Sequence, residues 1–73
     1  MLGANGDVAG AMGTALGANT LVSGDNSVAL GADSQATGDN EVSIGRTGAE
    51  RKLTNMAPGV AQTDGVNVSQ LWT

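Results

Sequence analysis

Gly24-Asp25-Asn26-Ser27-Val28-Ala29-Leu30-Gly31 is answered fourteen residues later by Gly38-Asp39-Asn40-Glu41-Val42-Ser43-Ile44-Gly45, and this echo decides the fold class. Extended outward, three segments align without gaps at that spacing: Gly10 to Ser23, Gly24 to Thr37 and Gly38 to Arg51. Fixed columns result. Gly10, Gly24 and Gly38 form one, and Gly3, Gly17, Gly31 and Gly45 another. Leu2, Leu16, Leu30 and Ile44 occupy a third; Thr14, Val28 and Val42 lie two positions before it; Val8, Val22 and Ala36 make a fifth.

Each repeat reads as strand and turn. Val28-Ala29-Leu30 and Val42-Ser43-Ile44 alternate large and small side chains, which puts the large ones on one face of a pleated strand. Weaker second strands fall around Thr20-Leu21-Val22 and Ser34-Gln35-Ala36. Between them stand Gly17-Ala18-Asn19, Gly31-Ala32-Asp33, Gly24-Asp25-Asn26 and Gly38-Asp39-Asn40, residue types that tolerate positive φ and suit corners. Two short strands and two tight corners use up one repeat. One repeat is therefore one coil of a flattened all-β solenoid, with each strand pairing in parallel with its equivalent about 4.8 Å away. Two glycines at fixed places in every repeat argue against helix, at roughly 1 kcal/mol each relative to alanine.

Composition limits how such a coil is stabilised. The chain has 73 residues, 40% of them hydrophobic, and Trp72 is its only aromatic. Much of the apolar content is alanine, so one chain has little to bury. Small domains in that position rely on disulfides, metals or oligomerisation. With no Cys and no His, disulfides and soft-metal sites are excluded, and no cofactor is expected. Self-association remains. The net charge is −4 and the basic residues are only Arg46, Arg51 and Lys52, so the basic stripe that a nucleic-acid binder needs is missing. No apolar run approaches the roughly 20 residues of a membrane span, and the start of the chain lacks the features of a signal peptide. Because the sequence opens in mid-pattern, it reads as part of a longer protein.

The period breaks after Arg46. Charge gathers in Glu50-Arg51-Lys52, a turn is expected at Pro58-Gly59, and Thr63-Asp64 offers an N-cap to a helical start carrying Val66, Val68 and Leu71. Here the repeats, with Asn26-Ser27-Val28-Ala29-Leu30-Gly31, resemble the head repeats of YadA-like trimeric autotransporter adhesins. The stretch Arg51-Lys52-Leu53-Thr54-Asn55-Met56-Ala57-Pro58-Gly59 and on through Leu71 resembles their neck. Together these cover nearly the whole chain.

The resemblance implies a homotrimer of left-handed parallel β-rolls around a threefold axis: head coils over 1–46, then a neck over 47–73 that narrows the head onto a coiled-coil stalk. It implies a place on the outer surface of a Gram-negative bacterium, membrane attachment only through a C-terminal anchor beyond this chain, and host matrix proteins such as collagen as partners. Its neck residues here are Arg51, Lys52, Leu53, Asn55, Val66, Val68 and Leu71. There are departures. Gly65 stands where the family commonly has Ala, Trp72-Thr73 matches no neck feature, and Gly13-Thr14 replaces Ser-Val in the first repeat, whose coil is expected to be the loosest.

Other functions are weighed against specific residues. Asp25, Asn26, Asp39 and Asn40 lack the period and the Gly-Gly of calcium-binding nonapeptides, so they read as turn formers. Regular Thr columns, which an ice-binding face needs, are absent. Glu50, Arg51 and Lys52 have no His, Cys or second clustered carboxylate to work with as acid and base; ion pairs between chains are the expectation for them. Asn67-Val68-Ser69 matches a glycosylation sequon, which in a bacterial chain is more often an accident. Leu16, Val28, Leu30, Val42 and Ile44 are apolar core, of the coil or of the subunit contact, and periodicity leaves that choice open. The reading is a structural and adhesive module, not an enzyme. The alternatives are a pure spacer in a fibre, or a trimeric solenoid enzyme of the acyltransferase kind, against which the lack of His counts.

Overall fold

The computed structural model describes residues 1–72; Thr73, the last residue of the unassigned Trp72-Thr73 pair, lies outside the described residues. Six short strands follow in order: β1 (Asp7–Val8), β2 (Thr14–Leu16), β3 (Leu21–Val22), β4 (Val28–Leu30), β5 (Gln35–Ala36) and β6 (Val42–Ser43). They form two parallel sheets, β1-β3-β5 and β2-β4-β6. Every pairing has the register of the repeat: Thr14 opposite Val28, Val28 opposite Val42, Val22 opposite Ala36. The outline measures 43 × 21 × 19 Å. This is the flattened parallel roll expected from the fourteen-residue columns.

The corners obey the column rule residue by residue. Asn5, Asn19 and Asp33 have φ between 58° and 64°, and Met12, Asn26 and Asn40 between 55° and 57°. Asn and Asp enter this left-handed region more readily than other side chains. Asp39 Oδ1 accepts the Asp25 amide at 2.8 Å, Asp25 Oδ1 accepts the Ala11 amide at 2.9 Å, and Asn26 Nδ2 donates to Asn40 Oδ1 at 2.9 Å. These acidic and amide residues thus fasten one coil to the next, which is the turn role the sequence indicated. Met12 is the misfit. It holds φ 56° with its side chain 82% exposed, with neither an amide to offer Asn26 nor burial to compensate. Met12→Asn is expected to raise the thermal midpoint, corresponding to about 1 kcal/mol; a melting curve that does not move upward would contradict it.

Between the sheets only small side chains fit. Ala15, Val22, Ala29 and Ala36 are fully buried and Val8 packs against them. At the corners Thr20, Ser27 and Ser34 are buried too, and each hydroxyl donates to a backbone carbonyl: Thr20 to Gly17, Ser27 to Gly38, Ser34 to Leu30. Buried hydroxyls so paired avoid the penalty of a lost hydrogen bond. The first coil keeps its ladder in full, with β2 pairing β4 over three residues and the Thr14 amide donating to Ser27 O at 2.9 Å. A Cβ on Gly13 would lie 2.8 Å from methyls of both Val8 and Val22, so valine side chains fill the space that the missing serine leaves.

Past Arg46 the chain abandons the ladder. An isolated bridge joins Arg46 to Ala49, Asn55 makes a bend at φ 61°, and one 3-10 turn spans Val68–Leu71. The N-cap expected at Thr63-Asp64 falls instead at Asn67, whose amide donates to Gln70 Oε1 at 3.0 Å. Asp64 serves the loop before it. Its Oδ2 accepts the amides of Ala61 at 3.0 Å and Val60 at 3.2 Å, so it is not available to start a helix.

Candidate functional site

Along β2, β4 and β6, the residues Ala15, Ala29 and Ser43 point into the coil. Successive strand side chains alternate faces, so their flanking columns point out. One outward row is Leu2, Leu16, Leu30 and Ile44; the other is Thr14, Val28 and Val42. Leu2 is 71% exposed, Val42 64% and Leu16 41%, while Val28, Leu30 and Ile44 are half-buried. The five residues singled out from the sequence, Leu16, Val28, Leu30, Val42 and Ile44, therefore share one face, on the outside of the coil. The structure answers what periodicity left open. They are not the interior of the roll, because that interior is filled by alanine and valine.

The opposite sheet turns out Asp7, Leu21, Gln35, Ala9, Ser23 and Thr37, a mostly polar set. The roll is amphipathic across its thickness. A contiguous ladder of Leu, Ile and Val in water is costly, at about 25 cal/mol per Å² of apolar surface left uncovered, and such a patch marks a place where another surface packs. Only the large-residue sheet has this property.

The residues after Arg46 extend the same theme. Leu53, Val60, Val66, Val68, Leu71 and Trp72 are all exposed. The backbone beneath them is held by polar staples. Gln70 Oε1 accepts the Gly59 amide at 3.0 Å and its Nε2 donates back to Gly59 O at 3.0 Å; Asn67 Nδ2 donates to Met56 O at 2.8 Å. With Nδ2 so engaged and Oδ1 accepting from Ser69 Oγ, the Asn67 sequon has a structural use. Of the predicted neck residues, Lys52 and Leu53 lie exposed, Asn55 supplies the bend, and Val66, Val68 and Leu71 present apolar side chains outward.

The Ala61 amide, and after it the Val60 amide, hold the Asp64 carboxyl below its ordinary value of 3.8. A carboxyl lowered on folding stabilises the folded loop above its unfolded pKa, and the contribution is lost as pH falls through the folded value. Lowering the pH from neutral to below 3.8 is expected to loosen loop 58–65 in the native chain. Asp64→Asn should show no corresponding acid transition at the Val60 and Ala61 amides in exchange measurements; an unchanged acid transition in that variant would refute the assignment.

Glu50, Arg51 and Lys52 do not converge on a reacting point. Glu50 Oε2 accepts the Gly48 amide at 3.2 Å, and Arg51 reaches three neutral oxygens of its own chain, Ser34 Oγ, Ile44 O and Ala32 O. Sequence reasoning missed this role of Arg51, and it missed the buried Thr20 and Ser34, though their recurrence at fourteen residues was visible.

The geometry is thus that of a stacking roll with one apolar face. The family model of the YadA head domain repeat matches in two copies, residues 9–34 and 23–46, and the model of the coiled stalk of trimeric autotransporter adhesin matches residues 52–73. The chain belongs to the YadA-like trimeric autotransporter adhesins. Among solved structures, this YadA-like chain is similar to the C-terminal YadA-like domain of a Burkholderia pseudomallei protein, with 30% identity and a TM-score of 0.82. That likeness covers 92% of this chain but 44% of the other, so the YadA-like segment spans under half the length of its structural relative. None of the curated proteins matches it. YadA-like trimeric autotransporter adhesins are surface-exposed outer-membrane proteins and adhesins rather than enzymes. Among the described residues, no helix is long and apolar enough to cross a membrane.

Proposed function

We propose that this chain works as a homotrimer, with residues 1–46 as the coils of a head and 47–73 as the neck that gathers three chains toward a stalk. The observation that carries this is the outward Leu/Ile/Val ladder on β2-β4-β6 beside an interior of alanine and valine. Three such faces turned toward a common axis cover one another, and a closed cyclic assembly uses the same patch on every subunit. Exposed Val66, Val68 and Leu71 continue that contact along the neck.

Function follows from shape. A stack of coils is stiff because backbone hydrogen bonds join each coil to the next, and the polar sheet carrying Asp7, Gln35, Ser23 and Thr37 is left on the outside. That outer sheet is the surface available to host matrix such as collagen, at the surface of the bacterium that carries the full protein. Sedimentation equilibrium tests the assembly: a mass of about three chains is expected, and a compact folded single chain at all concentrations would overturn it. Binding to immobilised collagen, compared between the native chain and one with Gln35 and Thr37 changed to alanine, tests the adhesive face. Loss of binding with unchanged mass supports it; no binding by the native chain removes it.

A further inference from the structure

The roll has to end, and its last coil presents backbone oxygens that a further coil would otherwise engage. Along one corner a row of bonds climbs the stack: the Asn19 amide donates to Ala4 O at 2.8 Å, and the Asp33 amide to Ala18 O at 2.9 Å. The next acceptor in the row is Ala32 O. Among the described residues no backbone amide takes it; Arg51 Nη2 donates to it at 2.8 Å. A second row follows the Leu/Ile column, where the Gly17 amide donates to Leu2 O and the Gly31 amide to Leu16 O, both at 2.7 Å. The next carbonyl, Leu30 O, accepts the Ser34 hydroxyl instead, and the last in the column, Ile44 O, receives Arg51 Nη1 at 3.0 Å. The same nitrogen reaches the buried Ser34 hydroxyl at 3.0 Å.

The glycine column gives an independent reading of the same place. A Cβ on Gly3 would run into the backbone of Gly17, and one on Gly17 into the backbone of Gly31. A Cβ on Gly31 would instead meet the Arg51 guanidinium, 2.8 Å from Cζ. What stacks on Gly31 is a side chain where a coil stacks on its predecessors.

We propose that Arg51 is the end-cap of the roll. Its planar guanidinium replaces the peptide groups of the half-coil that the chain omits when it leaves the ladder at Gly45, and so clamps the following segment onto the last corner. Planarity and several donors in a fixed fork make arginine suited to replacing backbone amides, which a lysine ammonium matches at one point only. The device fixes the joint between roll and neck, and it acts within one chain whatever the number of chains in the assembly.

Amide hydrogen exchange on the native chain, Arg51→Lys and Arg51→Ala tests the cap. The amides of Asp33, Ser34 and Gln35, which close the last corner, are expected to exchange about tenfold faster in Arg51→Ala, as befits loss of charge-assisted bonds. Ala29 and Val22, deeper in the stack, should keep their protection, and Arg51→Lys should fall between. Unchanged protection at the three corner amides, or an equal loss in every coil, would overturn the proposal. Should Arg51→Ala fail to fold, Arg51→Lys decides it: selective acceleration at the three amides supports the cap, and uniform or absent acceleration refutes it. A wrong subunit count in sedimentation would defeat the trimer proposal and leave this outcome untouched.

Discussion

Leu30→Asp is expected to abolish assembly and β-structure together. Leu30 sits at the middle of the outward Leu2-Leu16-Leu30-Ile44 row, on the β4 strand that pairs with both β2 and β6. The substitution removes apolar burial of about 2 kcal/mol per chain. In a threefold assembly it also brings carboxylates into a shared low-dielectric space, where an unpaired buried charge is costly. A chain whose buried apolar interior is three alanines and one valine has little reserve against that loss. Circular dichroism and sedimentation should report an unfolded single chain. A soluble, folded monomer would show that the roll stands alone and that the apolar face has another use. Gln35→Asp, on the outward face of the other sheet, is the control and should leave both readouts near native.

Gly24→Ala is expected to produce the second large effect, through the stack rather than the subunit contact. A Cβ at Gly24 would collide with the carbonyl of Gly38 in the next coil and approach the Ser27 hydroxyl to 2.9 Å. The obstacle is backbone, so relief requires the two coils to separate, breaking neighbouring rungs. Overpacking of this kind costs about 3 kcal/mol, and the denaturant midpoint should fall accordingly. Gly48→Ala offers the contrast: nothing lies within 4 Å of its Cβ position, and only its φ of +86° opposes the change, at about 1 kcal/mol. Equal effects from the two variants would mean that close stacking at the Gly10, Gly24 and Gly38 column is not what demands glycine there.

The glycine columns were legible as columns, while the constraints behind them were not. Gly3, Gly17 and Gly31 have φ between 101° and 129°, a conformation that side chains avoid. Gly24 does not share it; the neighbouring coil excludes a side chain there. The next coil excludes a Cβ at Gly3 and Gly17 as well, so that column carries both constraints and Gly24 only the second, a distinction that the stacked backbone alone shows. Arg51 was less legible. Its charge pointed to a partner in another chain, and its bonds within its own chain go to oxygens whose availability exists only because the chain departs from the ladder at Gly45. Asp64 misled for a similar reason, since an N-cap and a loop clamp use the same carboxylate and differ only in where the amides of Val60 and Ala61 lie.

What the sequence determined alone was the stack: a fourteen-residue recurrence forces like residues above like, and alternation within Val28-Ala29-Leu30 separates two faces of each strand. It did not determine which face is inside. Alternation is symmetric, and a hydrophobicity argument would have put Leu and Val in the middle. Closing a coil over two strands and two tight corners leaves room, opposite Val22 and Ala36, only for Ala29 and its small neighbours in the column. The large residues are therefore turned outward, where they form the apolar face of the roll.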